Sequence, residues 1–303
     1  MKRIFYPVLL AVLVGLIYGF SSLQELGSNI QIIREQWGRS PHAMSMDTEE
    51  ERIRMNTPEC AHCHTAQGYW EVILGRKDSS APYEDPVGLS CITCHFPEKI
   101  AARDGALRVG RREEACTGCH DILVQNDAGG FSSCLQGAML RGAGGDHFTG
   151  TAYKSGTHGE ISGGCVGCHM APTPEGEYMY YLGGHSVRVI SKGKVGRHFN
   201  PAGCRGCHEE ISLESIEKSQ QKVRKLMGEL KSLLPEFKDP DSGETIPRFP
   251  KDPTLTAIQS KASYNYYFIL KDGTWGVHNP IYIPQLLKSS IAALKKETEK
   301  QNY

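Results

Sequence analysis

Ten of the eleven cysteines in this 303-residue chain fall into five copies of one pattern: Cys60-Ala-His-Cys63-His64, Cys91-Ile-Thr-Cys94-His95, Cys116-Thr-Gly-Cys119-His120, Cys165-Val-Gly-Cys168-His169 and Cys204-Arg-Gly-Cys207-His208. Two thiols three positions apart can each form a thioether with a vinyl group of one porphyrin. The adjacent imidazole can then turn beneath the ring and ligate its iron. The pattern is read as five covalent haem c attachments, with His64, His95, His120, His169 and His208 as proximal ligands. A zinc ribbon needs two Cys-x-x-Cys pairs per metal; here the number of pairs is odd, and a histidine follows every one. A disulfide scaffold would spread its cysteines through loops rather than cluster them in pairs. Cys134 is left over and is read as a small buried side chain; an intermolecular disulfide or a reactive thiol near the first haem are the alternatives, and nothing in Phe131-Ser-Ser-Cys134-Leu135 points to either.

The porphyrin fills four of six iron positions and the motif histidine a fifth. The sixth decides the chemistry: a second imidazole makes a low-spin electron carrier, an open position a catalyst. Seven histidines lie outside the proximal positions: His42, His62, His147, His158, His185, His198 and His278. His62 lies inside the first motif and should point away from its ring, and His198 has no distinguishing context; both are read as structural or exposed. Met44, Met46, Met55 and Met170 are rival sixth ligands that the supply of histidines makes unnecessary.

The elements that must hold these groups follow from composition and periodicity. Residues 1–24 read as a membrane anchor or signal: Lys2 and Arg3 precede an apolar stretch from Ile4 to Phe20. Gly19-Phe20-Ser21 is a poor cleavage site, so a retained anchor with its start in the cytoplasm is favoured. That expectation puts the protein in the cell membrane, with its haem domain on the periplasmic or extracytoplasmic side. A helical lead-in from about Ser21 to Arg54 has an apolar side of Ile30, Ile32, Ile33 and Trp37. Residues 25–208 form the pentahaem c-type cytochrome domain, loop-rich between irregularly spaced motifs. Residues 209–303 form a C-terminal helical region that completes haem ligation. Its helices are expected over Glu209–Leu234, over Leu255–Leu270 and from near Pro280, with a Pro- and Asp-rich break from Pro235 to Pro253. They serve either as a bundle packed on the haems or as a dimer interface. The fold expected is mainly α, with little sheet and a loop-rich haem-packed core.

Only 39% of residues are hydrophobic, which is lean for one core of this length; five porphyrins would make up the missing apolar surface. The formal net charge of zero argues against a nucleic-acid partner.

Ser155-Gly-Thr-His158-Gly159 ahead of the fourth motif, Gly184-His185 between the fourth and fifth, and Gly276-Val-His278-Asn279-Pro280 opening a helix occur in an order that resembles the pentahaem, ammonia-forming cytochrome c nitrite reductases and their hydroxylamine oxidoreductase relatives. The resemblance runs from about His42 to the end of the chain, with shorter connections. It implies distal ligands: His42 for the third haem, His158 for the fifth, His185 for the second and His278 for the fourth. It also implies that the first haem, on His64, is the catalytic one, and that His147, by its interval from His158, matches the active-site histidine. Arg52 and Arg54 are candidates for the family's catalytic arginine. Several features depart from the family: His64 stands where the family usually has lysine, no tyrosine follows the third motif, and the calcium-site elements are missing.

Three functions follow as expectations. The preferred one is a membrane-anchored electron carrier serving a redox partner protein or a quinol-oxidising membrane complex, with His147 closing the first haem. The second is a nitrite or hydroxylamine reductase with the His64 haem open and His147, Arg52 and Arg54 around the bound anion. The third is a subunit of an extracellular cytochrome polymer, in which His198 or His42 ligates a neighbour's haem. A homodimer or larger complex is compatible with each.

Overall fold

A computed structural model of the chain describes residues 29–76, 82–97, 107–125, 131–173, 176, 178–193, 196–240 and 242–301. The expected anchor or signal, residues 1–24, lies outside them. Among the described residues no helix is long and apolar enough to cross a membrane. The chain divides into two compact units, Met1–Ser45 with Cys168–Gly206 and Met46–Gly167 with Cys207–Tyr303. The expected helical region 209–303 falls wholly in the second unit; the expected haem domain 25–208 is shared between both.

The mainly helical class holds. In the second unit, short helices α1 (Glu49–Met55), α2 (Pro58–His64), α3 (Cys91–Cys94), α4 (Glu114–His120) and α5 (Gln136–Leu140) precede α6 (Gly164–His169), whose last two residues belong to the first unit. Three long helices follow: α7 (Leu213–Leu233), α8 (Ala257–Asp272) and α9 (Tyr282–Gln301). Their limits come from local chemistry. Ser212 with Ser215, and Thr256 with Gln259, form reciprocal caps at the starts of α7 and α8, and Gly273 closes α8 in the left-handed conformation at φ 71°. Asn279 Oδ1 accepts from Tyr282 N at 3.0 Å and starts α9.

The long helices pack on one another, which favours a bundle over an unpartnered interface face. Val223, Met227 and Leu230 of α7 meet Phe268 and Ile269 of α8 and Ile283, Leu286 and Leu287 of α9 in one buried cluster with Leu135 and Met139. Among the described residues, sheet is confined to three two-stranded antiparallel pairs: β1 (Ile122–Gln125) with β2 (Phe131–Cys134), β3 (Ile190–Gly193) with β4 (Gly196–Phe199), and β5 (Glu236–Lys238) with β6 (Thr245–Pro247). The last lies inside the expected Pro- and Asp-rich break. Its strands of three residues are too short for periodicity to reveal them.

In the first unit the described lead-in is helical over residues 29–38. Its buried position is Gln36, where the sequence suggested an apolar side; Ile33 is exposed. The reason is polar: the Gln36 amide donates to Thr173 Oγ1 at 3.1 Å and to Met179 O at 2.8 Å, and accepts from His185 N at 2.9 Å. A loop lacking ladder bonds is satisfied by one side chain. Gly184 permits this approach, since it has φ +47° and a Cβ there would lie 2.3 Å from Gln36 Oε1.

Candidate haem sites

The attachment motifs occupy short helices. Cys60, Cys63 and His64 lie in α2, Cys91 and Cys94 in α3, Cys116, Cys119 and His120 in α4, and Cys165, Cys168 and His169 in α6. Helical geometry puts positions i, i+3 and i+4 on one face, so two sulfurs and an imidazole face the same side. His95 departs from α3 in an extended conformation and bridges to Leu107. The fifth motif starts on a 3-10 turn, Pro201–Gly203, capped by Asn200.

In the second unit cysteines of the first three motifs converge with Cys165 of the fourth. The Cys63 and Cys119 sulfurs meet within hydrogen-bonding reach, as do those of Cys116 and Cys165, and Cys94 lies within electrostatic range of Cys119. Buried Tyr69, on the π-helical turn Tyr69–Ile73, sits beside Cys94, Cys116 and Cys119. That turn lies close against α2 because residue 68 is glycine: a Cβ there would stand 2.0 Å from Ala61 O.

Ring nitrogens tell which atom is available to a metal. His158 Nδ1 lies 2.7 Å from Val277 O, and His278 Nδ1 lies 2.5 Å from Asp272 Oδ1. His120 Nδ1 lies 3.4 Å from Gln136 Oε1, and in the first unit His169 Nδ1 lies 3.0 Å from Val187 O. An imidazole whose Nδ1–H is held by an oxygen presents its Nε2 lone pair to a metal, the usual arrangement of a ligating histidine. Val187 holds its carbonyl there at the cost of a left-handed backbone, φ 50°, unfavourable for a β-branched residue. Burial pushes His64 and His120 below the ordinary imidazole range, which keeps them neutral and able to coordinate.

The residues present fit a haem most directly at the fifth motif. With each coordinating nitrogen about 2 Å from the metal, two imidazoles on opposite sides of one iron have ring centres about 6 Å apart. The His158 and His208 rings are 6.1 Å apart at an interplanar angle of 84°.

His42 stacks against Trp37, with ring centroids 6.0 Å apart, and His185 lies in the 3-10 turn Gly184–Ser186, anchored by Gln36. His147 uses Nε2 on Tyr282 Oη at 2.8 Å and stacks on Tyr153 at 3.9 Å. It is held in the helical bundle by tyrosines that no motif announced. Arg54 lies within electrostatic range of His64, whereas Arg52 directs its Nε to Met46 O at 3.3 Å. Among the described residues, the imidazole nitrogens His64 Nδ1 and His198 Nε2 are buried without a hydrogen-bond partner. His198, stacked on Tyr178 at 3.7 Å, carried no sequence signal.

Five Cys-x-x-Cys-His motifs on a mainly helical fold are the attachment pattern of multihaem cytochromes of the c type. A solved structure with a similar fold is the undecahaem cytochrome from the S-layer of Carboxydothermus ferrireducens, 18% identical, with a TM-score of 0.52. The match covers 84% of this chain and 40% of that one, so this chain spans about two fifths of that cytochrome's length. No family model and no curated protein matches the chain.

Proposed function

We propose that the protein is an electron-transfer cytochrome carrying five covalently attached haems, held at the cell membrane by its N-terminal segment and exchanging electrons outside the cytoplasmic membrane with a redox partner protein or a quinol-oxidising complex. Haem iron supplies a one-electron couple that needs no substrate bond to form or break. The carrying observation is the pair His158 and His208, 6.1 Å between ring centres, a spacing that suits two imidazoles sharing one iron. Imidazoles turned by Val277 O, Val187 O, Asp272 and Gln136 suit the same use.

One observation favours a second reading, a nitrite or hydroxylamine reductase: Arg54 lies beside His64, the proximal ligand of the site that the nitrite reductase resemblance makes catalytic. His147, fixed on Tyr282, stands apart from that role. The neighbour's place in an S-layer keeps an extracellular cytochrome assembly as a third setting.

Low-temperature EPR of the oxidised, haem-loaded protein with and without nitrite separates these readings. The carrier gives low-spin signals throughout that nitrite leaves unchanged. A high-spin haem that shifts with nitrite would overturn that reading in favour of the reductase.

A further inference from the structure

Asp272, the last residue of α8, has a fully buried side chain, and no described lysine or arginine pairs with it. Three donors converge on it instead. His278 Nδ1 lies 2.5 Å from Oδ1, Thr274 N donates to Oδ2 at 3.2 Å, and the Thr274 hydroxyl donates to Oδ2 as well. Burying a carboxylate without a cation is costly, several kcal/mol in typical cases. An asparagine would accept from His278 through Oδ1, but its Nδ2 would face the Thr274 N–H donor to donor; the carboxylate accepts from all three, and its charge then lies directly behind the His278 ring.

The other ring nitrogens offer the contrast. His120, His158 and His169 direct Nδ1 to the oxygens of a glutamine amide and of two backbone carbonyls, which are neutral acceptors. His278 directs Nδ1 to a carboxylate, and it lies within electrostatic range of Cys165, the first thiol of the fourth motif. A carboxylate behind a ligating imidazole makes it a stronger donor and adds a fixed negative charge. Both effects favour the more positive, oxidised iron.

We propose that Asp272 sets the reduction potential of the haem that His278 ligates, holding it below the value the same ligand pair would have with a neutral acceptor. This rests on the reading of His278 as an iron ligand. Thr274 moderates the effect by drawing part of the carboxylate's charge through Oδ2.

The test is an optical and EPR redox titration of the full haem-loaded chain. D272N keeps the shape and the acceptor and removes the charge. It should raise one haem's potential by at least the ~59 mV that a tenfold change in oxidised-to-reduced preference represents for a one-electron couple. T274V removes a hydroxyl donor from Oδ2, leaves more charge for His278, and should lower the same potential. Opposite signs from two near-isosteric changes are not what a merely structural pair would give, and T274V carries the test if D272N fails to load haem. H278G, with and without added imidazole, identifies the haem: one low-spin signal should vanish and return. If H278G acts in this way but D272N and T274V leave every potential in place, the tuning role is wrong and the ligand stands. If H278G leaves all low-spin signals intact, the ligand assignment fails and the proposal with it.

Discussion

His158 and His208 are 50 positions apart in sequence, yet their ring centres lie 6.1 Å from each other, the spacing of two imidazoles on a shared metal. Substituting His158→Ala removes one side of that pair and leaves the thioethers and His208 in place. One haem should change from low to high spin in the oxidised protein and bind carbon monoxide when reduced. An unchanged spectrum would mean that His158 lies outside the coordination sphere. At this scale the attachment motifs were readable because covalent chemistry fixes their spacing. The groups behind the histidines were not. Val277 O and Val187 O are backbone atoms, which every residue type carries, and Asp272 is one of 34 acidic residues, with nothing in its neighbours to mark it. The Tyr282 partner of His147 lies 135 positions away, a separation no local pattern spans.

Among the elements, the α8–α9 connection contributes most to the site, since it carries Val277, His278 and Asn279 together. Asn279 is fully buried and joins this connection to the loop before His158: its Oδ1 accepts from Gly156 N at 2.9 Å, and its Nδ2 donates to Ser155 Oγ at 3.0 Å and to Met139 O at 3.3 Å. The three long helices were legible in their apolar spacing, and their observed starts fall within a few residues of the expected ones because side-chain caps mark them. What periodicity could not supply was Asn279's role, which depends on three separate stretches of chain meeting. Tyr282, in the first turn of α9, ties the same loop down by accepting from Gly145 N at 3.1 Å and bonding His147. Tyr282→Phe leaves both partners without it and should cost about 1–3 kcal/mol at neutral pH. Burial pushes the Tyr282 phenol up to about 12, against about 10 in an unfolded chain. The neutral phenol is therefore favoured by folding, and its contribution is complete below about pH 10 and lost as pH rises toward 12. The stability gap between wild type and Tyr282→Phe, from urea unfolding followed by circular dichroism, should accordingly narrow between about pH 10 and about pH 12. A gap that stays constant over that range would argue against the phenol as its source.

Across the molecule, the thiol geometry bears on how the sites act together. Cys63 meets Cys119 and Cys116 meets Cys165, so the first, third and fourth attachment points adjoin within one compact unit. Porphyrins bonded to those sulfurs would be close neighbours. Two unit charges roughly 10 Å apart at an effective dielectric of 20 interact by about 1.7 kcal/mol. An electron placed on one centre then makes its neighbour harder to reduce by an amount larger than RT. A reductive titration of the whole protein should therefore spread well beyond a single one-electron Nernst curve, even for centres with matching ligands. Raising the ionic strength should narrow it little, because salt screens buried charges weakly. A carrier gains from this arrangement: closely spaced centres pass charge along, while mutual repulsion keeps the chain from filling at one potential. A titration that collapses onto one Nernst curve would mean that the sites do not adjoin once loaded, and the electron-carrier reading would then lack the proximity it depends on.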